Sequence, residues 1–260
     1  VSQLIGNRPL SARSVLASAL LGADQGRLTV AELVGLATQF GISDGAARTC
    51  LWRMVSTGEL SSDGGSYALA GRLLERRQRV DEASRIAGAM ARSWDGTWEL
   101  AIVSLDRRSA ADRLELRKAA TTLHLAELRE GVWLRPNNLD PQRLPTSRAV
   151  LEQQCTQFHG AATQIAPDKV LSLFGLDEWA ADARALIEAI SVALEPDNND
   201  YSAETFTYEF SLLIAVVRHL QLDPLLPTEL IPDHWPGHAL RSLHHNFDEA
   251  FKRRINRAFG

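Results

Sequence analysis

The run Ser43-Asp44-Gly45-Ala46-Ala47-Arg48-Thr49-Cys50-Leu51-Trp52-Arg53-Met54-Val55-Ser56-Thr57-Gly58, followed at once by Glu59-Leu60-Ser61-Ser62-Asp63-Gly64-Gly65-Ser66-Tyr67-Ala68-Leu69-Ala70, decides the fold of the first third of the chain. Ser43 can cap a helix that Gly58 stops. Ala47, Cys50, Leu51, Met54 and Val55 fall on one face of it, and Ser43, Asp44, Arg48, Thr49, Trp52 and Arg53 fall largely on the other. Asp63-Gly64-Gly65 between two short alternating runs signals a hairpin, because its tight turn needs positive φ.

Toward the N-terminus, Ser11 can cap a helix over residues 11–22, with Leu16 and Leu20 four apart and Gly22 at its end. Thr29 with Glu32 three residues later forms a capping box for a second helix running through Leu33, Leu36, Ala37 and Phe40 to Gly41. Gly41 supplies the sharp turn into the third helix. Three helices and then a hairpin make a winged helix-turn-helix. The helix beginning after Ser43 is the one such a motif lays in a major groove. An Arg-rich helix is predicted from Gly71 to about Arg92.

Arginine on that helix suits guanine, whose O6 and N7 accept a bidentate pair. Arg48 and Arg53 are five apart, about 140° around the axis. Arg48 is therefore assigned to base edges and Arg53 to a base edge or a phosphate. Trp52 is bulky for that surface and could pack against the wing. The hairpin carries no Lys or Arg, so Ser66 and its neighbouring serines or backbone amides would make any phosphate contacts there. The plain alternative is a three-helix bundle with an exposed arginine pair; the hairpin placed directly after it favours DNA.

Charge agrees. The chain has 260 residues and a net charge of -4. Residues 1–92 hold 11 Arg against 8 Asp plus Glu, a surplus of three positive charges. The remainder is acidic, so a polyanion should meet the first third only. The composition is 45% apolar and 23% charged, ordinary for a globular protein. No apolar run reaches the roughly 18 residues of a membrane span, no signal peptide is visible, and Cys50 and Cys155 form no C-x-x-C pair. A cytoplasmic protein of two or three modules is expected.

Downstream, Trp94-Asp95-Gly96-Thr97 leads into an apolar run, Trp98 to Val103, predicted as a buried strand ending near Asp106. A helix is predicted over 110–128 and a strand over Gly131-Val132-Trp133-Leu134-Arg135-Pro136. Strand and helix signals over 146–175 are weaker, and the alternation fits a small α+β domain. From Leu176 the pattern is helical, with segments at about 177–194, 201–220 and 236–258.

Arg48-Thr49 with Arg53, Gly58, Leu60 and the hairpin, then Trp94-Asp95-Gly96-x-Trp98, are joined by Gly131-Val132-Trp133-Leu134-Arg135-Pro136. Pro224-Leu225-Leu226-Pro227 and Asp233-His234-Trp235-Pro236-Gly237 follow. In that order the set resembles the phenylacetate-degradation repressor family (PaaX-type). Where family members usually have a Gly-Phe-Gly-like turn, this chain has His124-Leu125-Ala126-Glu127-Leu128. The resemblance implies an α+β, mostly helical protein with three domains. These are a winged helix-turn-helix over 1–92, a ferredoxin-like, Cas2-like domain over 93–175 and a helical domain over 176–260. It also implies a non-enzymatic transcriptional repressor: a homodimer on a partly palindromic duplex operator, released by an acyl-CoA effector. In the founding members that effector is phenylacetyl-coenzyme A.

An effector pocket must bury an acyl group and meet an anionic carrier. Trp94, Trp98, Trp133 and Arg135 could combine these properties, with Arg107 and Arg108 nearby in sequence; tryptophans in a core and solvated arginines are the plainer alternative. The central domain is also similar to small CRISPR-associated endonucleases of the Cas2 type, in which an Asp after the first strand binds metal. Asp106 stands at that position, although an Asp there is usually a turn or helix cap. Of the seven histidines, His219, His234, His238, His244 and His245 fall within 27 residues. None has metal-site spacing, and solvated or capping roles fit them better. No cofactor and no metal are expected. A protein-interaction module that has lost DNA binding remains a further reading.

Overall fold

The computed structural model describes residues 4, 10–23, 25–77, 93–162, 165–195 and 202–259. The chain divides into two compact units. The first comprises Val1–Ala83, Arg184–Gln221 and Ala239–Gly260; the second comprises Ser84–Ala183 and Leu222–His238.

In the first unit, α1 (Ala12–Gly22), β1 (Arg27–Thr29), α2 (Val30–Gln39), α3 (Asp44–Ser56), β2 (Leu60–Asp63) and β3 (Ser66–Leu69) follow in order. The predicted caps are made. Ser11 Oγ accepts from the Ser14 amide, and Thr29 and Glu32 close a reciprocal capping box. Gly41, at φ 68°, lets α2 turn into α3 where a side chain would be strained. Leu16, Leu20, Leu33, Ala37, Ala47, Leu51 and Met54 close a core among the three helices, and Leu60 and Leu69 seal it from the sheet. Each large aliphatic side chain so buried contributes about 1.5–3 kcal/mol.

The sheet has three strands in the order β1-β3-β2, all antiparallel. The Gly64-Gly65 turn has positive φ at both residues, and Asp63 pairs with Ser66 across it. Strand β1 was not foreseen. It has three residues, and its pairing partner lies some forty residues downstream, so no local pattern announces it. Residues 71–77 are helical, and the rest of the helix predicted to Arg92 lies outside the described residues.

The same unit contains α8 (Ala203–Leu220) and most of α9 (Gly237–Phe259). Phe40, the residue after α2, sets its ring 5.7 Å from Phe206 and 5.0 Å from Phe210 of α8. Both of those rings meet Phe251 of α9, at 5.0 and 5.9 Å. Glu209, buried in α8, receives a charge-assisted hydrogen bond from Arg254 of α9. The helix-turn-helix is thus packed directly against the C-terminal helices.

In the second unit, β4 (Thr97–Val103), α4 (Ala110–Thr122), β5 (Ala126–Arg129), β6 (Val132–Pro136), α5 (Pro145–Gln154) and β7 (Cys155–Ala162) alternate as βαββαβ. The sheet order β5-β6-β4-β7, antiparallel throughout, is the ferredoxin-like arrangement expected. Strand alternation sorts the side chains onto two faces. Ala101 and Trp133 face Leu116, Ala120, Leu123 and Leu151 of α4 and α5. Trp98, Leu100 and Leu134 face the opposite way, toward Val170 of α6 (Pro167–Phe174) and Leu226. The helix α7 (Leu176–Ala193) follows, and Trp179 within it stacks on Trp235 at 4.6 Å.

Two expectations need correction here. The helix predicted over 110–128 ends at Thr122, and 126–129 is an edge strand. His124 makes the break by adopting φ 60° without being glycine, and Ala-Glu-Leu-Arg suits a helix as well as a strand. Strand β4 ends at Val103, so Asp106 lies in the loop beyond it. Among the described residues, no helix is long and apolar enough to cross a membrane.

Candidate nucleic-acid interface

Helix α3 presents a polar face built from its first turn. Ser43 Oγ accepts from the Ala46 amide at 3.4 Å, and Asp44 in the first turn complements the positive helix end. One turn on, the Arg48 guanidinium donates to the Asp44 carboxylate through Nε, with a second contact from Nη2 at 3.4 Å. That hydrogen bond raises the Arg48 pKa above its ordinary value. Both groups are exposed, so the pair adds little stability but fixes the direction of the arginine fork.

Thr49 and Arg53 are exposed on the same face. Trp52 is 71% exposed, so it is not buried against the wing as its bulk suggested. Ser66 is half-buried: its hydroxyl accepts from Arg27 Nη1 at 2.9 Å and donates to the Asp63 carbonyl at 3.2 Å. Arg27 also pairs with Asp63 at 3.1 Å. Strand β1 therefore brings to the wing a cation that the hairpin sequence lacks. The missed signal was the short alternation Arg27-Leu28-Thr29 just before the capping box. Below the wing, Arg13 of α1 holds Glu59 through Nε at 3.0 Å, which keeps the Glu59 carboxyl below its ordinary pKa against a smaller burial effect.

The expected effector residues are not gathered into one cavity. Trp98 and Trp133 are core residues on opposite faces of the sheet. Arg135 is fully buried, donating to Pro136 O, Leu123 O, Asn138 Oδ1 and Leu225 O. Trp94 is half-buried, edge-on to Trp98 at 5.8 Å, with Nε1 on the Thr97 carbonyl. Asp95 Oδ1 accepts from the Thr97 amide at 2.9 Å and its hydroxyl at 2.6 Å. These bonds lower the Asp95 pKa, the hydroxyl contact most, so the Trp-Asp-Gly segment serves as a turn into β4. Arg107 is exposed at φ 53°, and Arg108 is half-buried near the Cys155 thiol. Burial pushes that thiol's pKa up, and Arg108 opposes the shift.

Asp106 is exposed, and no group of three His, Cys, Asp or Glu that could hold a metal occurs among the described residues. His234 and His238 belong to the second unit, and His219, His244 and His245 to the first. Burial keeps the His244 pKa below its ordinary value, with Asp248 opposing.

Three family models match successive parts of the chain. They are "PaaX-like protein" over residues 11–73, "PaaX protein central Cas2-like domain" over 91–171, and "PaaX-like protein C-terminal domain" over 174–259. The chain is similar to the transcriptional repressor PaaX of Escherichia coli (strain K12). It is 25% identical over 267 residues, covering 90% of this chain and 78% of that protein. It is also similar in structure to the uncharacterized protein Rv0674 from Mycobacterium tuberculosis, with a TM-score of 0.71 and 35% identity over 95% of this chain and 98% of that one.

Proposed function

The chain belongs to the PaaX family of transcriptional repressors, and from that premise we propose that it binds a duplex operator through the exposed face of α3 and is released by an acyl-CoA effector. The observation that carries the reading is that face itself. Ser43, Asp44, Arg48, Thr49, Trp52 and Arg53 lie together on an N-capped helix, with Arg27 and Ser66 on the adjoining wing. Arg48, steered by Asp44, reads a guanine; Arg53 and the wing meet phosphates. A homodimer in the cytoplasm, contacting two half-sites about 34 Å or a multiple apart, suits a partly palindromic operator.

Residues 1–92, 93–175 and 176–260 act as DNA-binding, effector-sensing and helical modules. The effector, an acyl thioester such as phenylacetyl-coenzyme A, is met by Arg107 and Arg108 beyond the C-terminal end of β4, while Trp94 stands with Trp98 at the opposite end of that strand. Trp98, Trp133 and Arg135 serve that surface indirectly, as the core that holds β4 and β6. A coupling of about 1–3 kcal/mol between effector and operator would change affinity roughly 5–150-fold.

The test is fluorescence anisotropy with duplex DNA from upstream of the protein's own gene, with and without a panel of acyl-coenzyme A thioesters. Salt-sensitive, sequence-specific binding reversed by one thioester is the expected result. Specific binding that no thioester alters would remove the effector, and absence of specific binding would remove the DNA-binding reading.

A further inference from the structure

Trp52 is the most exposed large apolar side chain among the described residues, at 71%. It stands near the centre of the α3 face rather than at its margin. Arg48 is four residues before it and Thr49 three, which makes both its direct neighbours on the helix surface. Gly45, seven residues before it on the same stripe, has nothing within 4 Å of where a Cβ would stand, so this side of the helix is open to close approach. The other exposed residues of α3 are polar or small: Asp44, Gly45, Ala46, Arg48, Thr49, Arg53 and Ser56.

We propose that Trp52 is a specificity residue that reads thymine, its indole face meeting the C5-methyl group of a thymine in the major groove beside the base held by Arg48. The inference rests on the DNA-binding reading above and gives it a second recognised base. The major groove is a field of hydrogen-bond donors and acceptors in which the thymine methyl is the apolar landmark. One indole set among donors and an acidic acceptor matches that pattern. A protein partner would favour an apolar patch, and α3 offers one large exposed apolar side chain, Trp52, with Ala46 apart from it as a lone methyl group. The indole is also rigid, with two side-chain torsions to order, so fixing it on a methyl group costs little entropy.

The experiment uses the full-length protein and a duplex enriched by it from a randomised library. Each thymine of that duplex is replaced in turn by deoxyuridine, which removes the methyl group and keeps every hydrogen-bonding edge. Wild-type protein is expected to lose about fourfold in affinity per contacted methyl at one or two positions in each half-site. In Trp52→Ala that penalty should vanish while the same guanines remain selected. Trp52 contributes nothing to the core, so unchanged thermal unfolding of the variant confirms that the fold is intact. A deoxyuridine penalty that persists in Trp52→Ala, or no penalty in the wild type, overturns the inference and leaves the DNA-binding reading standing. Failure to enrich any duplex overturns both.

Discussion

Arg135 Nη2 donates to the carbonyl of Leu225, ninety residues further along the chain, at 3.2 Å. Asn138 Nδ2 donates to the same oxygen at 3.1 Å, and the Leu225 amide donates to Asp223 Oδ1 at 2.9 Å. Leu225 itself has φ 53°, a conformation costing roughly 1–2 kcal/mol for a residue with a Cβ. The bonds to Arg135 and Asn138 hold it there. Two segments that stood out in the sequence, the strand ending Leu134-Arg135-Pro136 and the loop Pro224 to Pro227, are thus two halves of one buried fastening.

Replacing Arg135 should expose what the fastening contributes. Arg135→Met keeps the approximate length but takes the Arg135 donor from Asn138 Oδ1, and leaves the Leu225 carbonyl to Asn138 and the Leu123 carbonyl to Arg143. A loss of about 1–3 kcal/mol is expected, the range for a buried polar group deprived of its charged partner. Urea unfolding measures it; a loss under about 1 kcal/mol would contradict the geometry.

The buried pair of Glu99 on β4 and Arg148 on α5 gives a contrasting expectation. Both side chains are nearly solvent-free. Removing one partner strands a charge, so Arg148→Met should cost about 3–5 kcal/mol. Glu99→Gln combined with Arg148→Met removes both charges and should recover much of that loss. Equal destabilisation in the single and double variants would mean that packing, not charge, dominates.

On α3, Arg48→Ala is expected to weaken binding to the selected duplex by roughly 5–150-fold and to relax preference at one guanine. Arg53→Ala should weaken binding across sequences and reduce the salt slope by about 0.9, the value for one lost phosphate contact. Anisotropy titrations over a salt series separate the two. Unchanged base preference in Arg48→Ala would refute its assignment.

The Arg13–Glu59 contact predicts a pH dependence. Its folded carboxyl has a lowered pKa, so the unfolded chain binds the proton more tightly. The contribution to stability is therefore complete above the ordinary glutamate value of about 4.3 and fades as pH falls through the lower folded value. Thermal unfolding of Glu59→Gln should show a shallower acid decline than wild type. Because Arg13 is half exposed, solvent screens the pair and the difference should be modest.

Local information determined much of this protein. The Thr29–Glu32 capping box, the Gly41 turn, the one-sided apolar stripe of α3 and the Gly64-Gly65 hairpin are each written within a few residues. They act through backbone conformation and neighbouring side chains, so the winged helix-turn-helix was legible and so was the polar face of α3. The Gly-Val-Trp and Trp-Asp-Gly segments marked the central sheet for the same reason.

Tertiary structure decided what depended on distant partners. Strand β1 exists because β3 offers it a ladder, and it carries Arg27 to the wing. Strand β5 exists because His124 accepts a strained backbone and β6 lies alongside. Trp133 and Arg135 were legible as an aromatic and a cation, but not as core and fastening. Strand parity turns Trp133 away from Trp98, and the acceptors of Arg135 come from Leu123 and Leu225. Phe40 reads locally as the end of α2; only the packing of α8 and α9 makes it the contact between the helix-turn-helix and the C-terminal helices. Sequence periodicity assigns a side chain to a face, whereas what covers that face is set by contacts between residues far apart in the chain.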